Sequence, residues 1–301
     1  MTFAVVLASR SAIWACADRQ LTDQHNPLLS SKSGVKITSI ETKDGVALLA
    51  YAGIGRVKDT QISWWVYRTL RGLNMPLERS LEHISDAAQR RLAPYVRHAG
   101  AHFFIAAAIR DGKHYVYEID LHKRPPQVIR YEPRTRSQVQ TGISGSGATY
   151  ALRYEKPRIK NIARLVKHYE HEKVSSEFIA SQLASLNASI SARARAVGDN
   201  TISPESIVIH RHPKSKKSDG QQWCFDPAGK TYSDPDAAVP IVGCGLPVSE
   251  ITRALMDDFL QRIRAMPPDA TPAQLINAQE YEAATRAIIE NIPDTPDEKL
   301  R

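Results

Sequence analysis

A threonine follows the first methionine, and that pairing can do chemistry. Removal of Met1 is expected when the next side chain is as small as that of Thr2, and it leaves Thr2 with a free α-amine. One residue then carries a nucleophile and a base. The hydroxyl attacks a carbonyl while the amine, whose unperturbed pKa is about 8, accepts its proton near neutral pH. Many chains begin Met-Thr, so the pair needs partners that the rest of the fold must supply.

Other chemical-looking stretches carry less. "GIGRVK" (53–58) follows a strand and leads into a helix as a dinucleotide fingerprint does, but Lys58 stands at the third glycine position and the flanking elements do not read βαβ. "DPAGKT" (226–231) resembles the end of a phosphate loop, yet the required first glycine falls at Cys224. His168 and His171 lie among charged helical residues, and His210 and His212 share one face of a strand; both pairs read as solvated or structural. Cys16, Cys224 and Cys244 are odd in number and lack CxxC spacing, so neither a disulfide framework nor a thiolate centre is suggested. No metal and no cofactor is expected, and a reducing cytoplasm is the default compartment.

The elements that must position Thr2 begin at once. "TFAVVLASRSAIWACAD" imitates a secretory leader through its apolar run and its "ACA", but no basic residue precedes "FAVVLA" and Arg10 interrupts the run. Period and residue type predict a hairpin instead, 2–8 and 12–18 joined by a turn at "SRS". Strands are predicted at 35–41 and 46–52, helix across "GIGRVKDTQISWWVYRTLRGLN" (53–74) and about 77–98, and strands at 102–110, 113–121 and about 126–132. "TGISGSGATY" (141–150) reads as a glycine-rich turn into helix, broken near Pro157 and running in two pieces to about 196. A final hairpin, "SIVIHRHP" and "QQWCFDP", precedes an irregular segment at 226–248. Strand blocks bracketing two helix pairs fit two antiparallel sheets between helical layers better than a βαβ repeat.

Beyond residue 245 the pattern is helical. Ile251, Leu255, Phe259 and Ile263 recur every four residues before Pro267-Pro268, "TPAQ" (271–274) offers the cap of another helix, and "DTPDEKLR" reads as a frayed tail. The expected division is thus a domain over 1–244 and a helical extension over 245–301.

With 301 residues, 42% hydrophobic and 24% charged, the chain can bury a sizeable core, and no apolar run approaches transmembrane length. The net charge of +8 is spread over helices and turns, with only "HPKSKKSDG" (212–220) clustered, and that stretch reads as a solvated hairpin tip. A nucleic-acid or membrane partner is therefore not expected.

Several stretches resemble one family. "ACADRQLT" is similar to the "AADSRAT" segment of proteasome β-subunits and their bacterial HslV relatives, and "SGVKI" to their "TVKKV". "ALLAYAGIGRVKDTQISWWVYRTL" resembles the family's strand, glycine turn and first long helix, and "SGSGATYAL" its "GSGS-YAY" turn. These run in order to about residue 210. The family comprises N-terminal-nucleophile (Ntn) hydrolases of the proteasome type, and the resemblance implies an α+β fold built as a four-layer αββα sandwich.

Matched residue by residue, the resemblance implies Thr2 as nucleophile, its α-amine as proton acceptor and Lys36 as the cation that favours the reactive hydroxyl. Asp18, 16 residues from Thr2, supplies the carboxylate a buried ammonium needs. Gly53 matches the glycine whose N–H serves as oxyanion donor. Ser146 and Asp199 match residues near the terminal amine; for the remaining serine, Thr201 and Ser203 both lie one residue off the family's spacing, and Ser203 is chosen. Taken singly, Lys36 would be a strand lysine facing water, Asp18 and Ser146 turn residues and Gly53 a strand terminator. Their joint occurrence is what singles them out.

The resemblance implies a threonine peptidase acting on peptide or protein substrates inside a homo-oligomeric ring, with any regulator or ATPase partner left open. An Ntn amidase acting on a small amide, and a silent assembly subunit that keeps the fold, are the alternatives. Trp64 and Trp65 on the first helix are candidates for ring contacts or for the core.

Overall fold

The computed structural model describes residues 2–21, 33–53, 55–57, 60–92, 103–123, 126–169, 173–212 and 220–265, with 283, 286 and 287 beyond them. Two six-stranded sheets dominate the α+β fold. The first is ordered β10-β1-β2-β11-β12-β13, from β1 (Ala4–Ala8), β2 (Ile13–Asp18), β10 (Gln140–Ser144), β11 (Ser206–Arg211), β12 (Gly220–Phe225) and β13 (Thr231–Tyr232). The second is ordered β14-β3-β4-β7-β8-β9, from β3 (Ile37–Glu41), β4 (Gly45–Ala52), β7 (Phe103–Arg110), β8 (Lys113–Asp120), β9 (Gln127–Tyr131) and β14 (Ile241–Gly243). Every pairing within them is antiparallel except that of β14 with β3.

Side-chain alternation explains why the central strands read as unbroken apolar runs. All five residues of β1 are buried. Ala4, Val6 and Ala8 face the second sheet, in a cluster with Leu48, Ala50, Ile105 and Ala107, while Val5 and Leu7 face helices with Trp14 and Cys16. Period-2 strands covered on both sides have no wet face to carry polar residues. The helices α3 (Gly147–Tyr154), α4 (Lys156–Tyr169) and α5 (Ser176–Ala196) cover the outer face of the first sheet through Ile159, Val166, Ile179, Leu183 and Ile190. On the outer face of the second, α1 (Ile62–Leu70) and α2 (Leu77–Arg91) bury Trp65, Val66, Leu81 and Ile84 against Leu49, Phe104 and Tyr117.

The structure departs from the sequence reading at several boundaries. None of the described residues between 53 and 61 is helical: Gly53 has a positive φ of 137°, and a two-residue pair, β5 (Arg56–Val57) with β6 (Thr60–Gln61), precedes α1. The glycine-rich stretch from 141 begins in strand β10, paired with β1, and Gly142 packs where the Ile105 side chain leaves no room for a Cβ. The helical stretch to 196 comes in three pieces. Pro157 sits in the first turn of α4, where no backbone donor is needed, and α5 starts afresh at an N-cap, Ser175, whose hydroxyl accepts from Phe178 N–H at 3.2 Å. The irregular segment supplies β14, hidden from pattern reading by its three-residue length.

Helix α6 (Val248–Ala265) follows and docks on α1, where Arg71 pairs with Glu250 at 3.3 Å and Arg253 lies over the Trp64 ring. Trp65 is core and Trp64 is partly covered. Of the apolar stripe of α6, Ile251, Leu255 and Phe259 are half-buried, while Ile263 is exposed together with Met256 and Leu260. The end of the helix predicted over about 77–98, beyond 92, the loop 22–32, the basic tip 213–219, and "TPAQ" with the tail lie outside the described residues. Among the described residues no helix is long and apolar enough to cross a membrane.

Candidate active site

The first hairpin brings Thr2 to Asp18. Its register pairs Ala4 with Ala17, and Asp18 N–H donates to Phe3 O at 3.1 Å, so the chain leaves β1 beside the end of β2. Lys36 arrives from the other sheet: it immediately precedes β3, and its carbonyl accepts from Tyr51 N–H at 3.0 Å. Its side chain crosses the intersheet space towards both residues. Thr2, Asp18 and Lys36 are all buried.

Five donors converge on the Asp18 carboxylate. Oδ2 accepts from the Thr2 hydroxyl, from Phe3 N–H at 2.8 Å and from Lys36 Nζ at 2.8 Å; Oδ1 accepts from Gln20 N–H at 2.9 Å and Ser203 N–H at 3.3 Å. Lys36 Nζ donates at the same time to Thr2 Oγ1. Burial pulls the Lys36 pKa below the ordinary lysine range, and the facing Asp18 charge opposes that fall. The result is a cation held in a dry place against an alcohol oxygen. It can stabilise negative charge on that oxygen as a bond forms, because a fixed charge needs no reorganisation at the moment of reaction.

The Thr2 main chain is fixed from the glycine-rich turn. Gly147 N–H donates to Thr2 O at 3.2 Å and Ser146 Oγ to the same oxygen at 3.5 Å. Gly145, at φ +90°, lets this approach happen: a Cβ there would stand 2.1 Å from Thr2 O.

The remaining residues singled out from sequence divide into two groups. Ser146 touches Thr2, but through the carbonyl. Ser203 reaches Asp18 through its main-chain N–H, while its hydroxyl accepts from Glu205 N–H at 3.1 Å. Asp199 is taken up by its own turn, accepting from Thr201 N–H at 3.0 Å and from the Thr201 hydroxyl, and no described hydrogen bond joins it to Thr2. Gly53 follows β4, two residues past the Tyr51 that pairs with Lys36, which places it at the same end of the sheets.

Sequence reading missed Asn187. Wholly buried on α5, its Nδ2 faces the carbonyls of Ser203, Pro204 and Glu205 at 2.9, 3.1 and 3.4 Å and holds the loop whose N–H reaches Asp18. Ser191, one turn on, donates to Ile202 O at 2.7 Å. Polar residues at helical spacing on an otherwise apolar face were the available signal. Arg19, next to Asp18, lines a cavity of about 470 Å³ with Ser33, Glu205, Asp226, Tyr232 and Asp234, and its guanidinium pairs with Asp234 at 2.6 Å. Thr2 does not line that cavity.

In fold the chain is similar to solved structures of Anbu. Anbu from Hyphomicrobium sp. strain MC1 superposes with a TM-score of 0.50 at 13% identity, over 90% of this chain and 100% of that one. Anbu from Yersinia bercovieri, described as an ancestral β-subunit, gives 0.49 at 13% identity over 90% of this chain and 99% of that one. No protein-family model matches the chain, and no curated protein does. The likeness is one of fold.

Proposed function

We propose that the chain is a threonine-type hydrolase of peptide bonds, with Thr2 as its nucleophile once Met1 has been removed. The observation that carries this reading is Lys36, whose buried ammonium donates at once to the Thr2 hydroxyl oxygen and to Asp18. Thr2 Oγ1 attacks the substrate carbonyl and its proton passes to the freed α-amine. Collapse of the intermediate expels the substrate amine, which leaves with that proton, and water then hydrolyses the Thr2 ester to regenerate the hydroxyl. Lys36 steadies the developing alkoxide, Asp18 keeps Lys36 in place, and the Gly53 N–H receives the carbonyl oxygen. Ser146, Asp199 and Ser203 are assigned to the neighbourhood of the amine that forms when Met1 leaves.

In this reading the two sheets and their flanking helices form the four-layer αββα sandwich of Ntn hydrolases, over residues 1–244, with 245–301 as a helical extension. Assembly into a homo-oligomeric ring in the cytoplasm belongs to the same proposal and rests on the sequence resemblance to proteasome subunits. Native mass separates it from the amidase alternative, because a closed chamber suits peptides and a free monomer or dimer a small amide.

One observation favours the silent-subunit reading: Asp199 and the Ser203 hydroxyl are engaged with neighbours in their own loop. Intact mass together with hydrolysis of fluorogenic peptides decides. Loss of Met1, and activity that Thr2→Ala abolishes, are expected; retained Met1, or undiminished hydrolysis by Thr2→Ala, overturns the mechanism.

A further inference from the structure

Strand β11 runs out through His210, Arg211 and, one residue past its end, His212, and the two histidines lie on the helical side of the first sheet. His210 lies flat between Trp14 and Trp223 on the adjacent strands, with ring centroids 4.6 and 5.6 Å away and interplanar angles of 20° and 22°. The His212 ring stands at 84° to it, and the two Nε2 atoms are 3.3 Å apart. Tyr169, the last residue of α4, brings its hydroxyl 2.8 Å from His212 Nε2. His212 Nδ1 lies 2.9 Å from the carbonyl of Ser11, in the β1–β2 turn.

We propose that His210 Nε2 and His212 Nε2 bind a divalent ion of the Zn²⁺, Ni²⁺ and Cu²⁺ class, with the Tyr169 hydroxyl as third protein donor and water completing the shell. Distance comes first. Two imidazole nitrogens held at about 2.0–2.1 Å from one tetrahedral ion stand about 3.3–3.4 Å apart, which is the separation found. Direction comes second. A straight N–H···N hydrogen bond of that length would put the ring centroids about 5.6 Å apart, whereas they are 5.0 Å apart, so the nitrogens lean towards a common point beside them.

Protonation is the third observation. A carbonyl can only accept, so His212 Nδ1 carries a hydrogen and points its Nε2 at His210 and Tyr169, the arrangement by which an outer carbonyl orients a metal-binding imidazole. Among the described residues no three His, Cys, Asp or Glu side chains gather as metal ligands, and here the third donor is a phenol. Imidazole-rich sites suit late first-row ions over Mg²⁺ or Ca²⁺.

His210 lies four residues along β11 from Ser206, which pairs with Asp18, so the ion sits roughly 13 Å along the strand from the Thr2 cluster. Its role is to tie the end of α4 to the end of β11 and, through Ser11, to the first hairpin.

The test uses the full chain without an affinity tag, stripped with chelator and titrated calorimetrically with Zn²⁺, Ni²⁺ and Cu²⁺. One equivalent with micromolar or tighter Kd, a rise in Tm on saturation and an X-ray absorption spectrum with imidazole nitrogens in the first shell are expected. His212→Gln, at a half-exposed position, should weaken binding at least tenfold and cancel the rise in Tm, while His83→Gln on α2 should change neither. Absence of binding, full affinity in His212→Gln, or a first shell without imidazole would overturn the site and leave a hydrogen-bonded pair. None of these readouts depends on hydrolysis.

Discussion

Lys36 and Asp18 come from different sheets and meet at 2.8 Å in a buried ion pair, with the Thr2 hydroxyl in contact with both. A charge pair without access to water is costly to form and more costly to break, because removing one partner strands the other. That asymmetry makes the pair testable.

Lys36→Met removes the cation and keeps the length of the side chain. Peptide hydrolysis should fall at least ~10²-fold in kcat/KM, and stability should drop by about 3–5 kcal/mol because Asp18 stays buried without its counter-charge. Adding Asp18→Asn should restore much of the stability and none of the activity. Denaturant melts and peptide kinetics on the two variants and the unaltered protein check both statements.

Gly145→Ala places a Cβ where Thr2 O now lies, at a φ that L-residues avoid. The expected cost exceeds about 1 kcal/mol, and the shifted Thr2 should lose activity out of proportion to the fraction unfolded. Gly229→Ala, also at positive φ but with open space around it, should lose stability alone. Kinetics at a temperature where both variants are folded tells them apart.

Asn187→Ala releases the carbonyls of Ser203, Pro204 and Glu205 together. The Glu205 carbonyl keeps the Arg19 N–H at 3.2 Å, but losing the amide from those of Ser203 and Pro204 should cost about 2–3 kcal/mol. As a positioning residue, Asn187 should also alter the pH profile of kcat/KM, because it holds the Ser203 N–H on Asp18; a purely structural role would lower Tm and leave the profile unmoved.

His210 makes stability depend on pH. Its pKa is lowered by burial from 6.5 to about 4, so between those values the unfolded chain takes up a proton that the folded chain refuses. Stability should therefore fall as pH drops from about 6.5 to 4, by up to about 3 kcal/mol, with no contribution above that window. In metal-free protein, His210→Phe should flatten this part of the curve measured by urea titration at each pH.

Much of this arrangement was legible in the sequence where local chemistry and tertiary structure agree. The first hairpin followed from residue type, and its register places Thr2 by Asp18. Lys36 was a different matter, since an alternating strand gives no sign of which lysine faces inward; only the order of motifs around it singled it out. β10 and β14 were missed because their partners, β1 and β3, lie more than a hundred residues away in the chain. Asn187 escaped for a related reason: what it clamps is a loop joined to it only by tertiary contact.

The parallel pairing of β14 with β3 bears on how the protein is made. Asp18 sits on a strand whose neighbour is β11, and Lys36 leads into a strand whose neighbour is β14, so both borders of the site are supplied by the last third of the chain. A ribosome that has released only the first two hundred residues has delivered Thr2, Lys36 and Asp18 without the strands that frame them. Such distant pairings form late, so a nascent chain completes the surroundings of Thr2, Asp18 and Lys36 only when synthesis is almost finished.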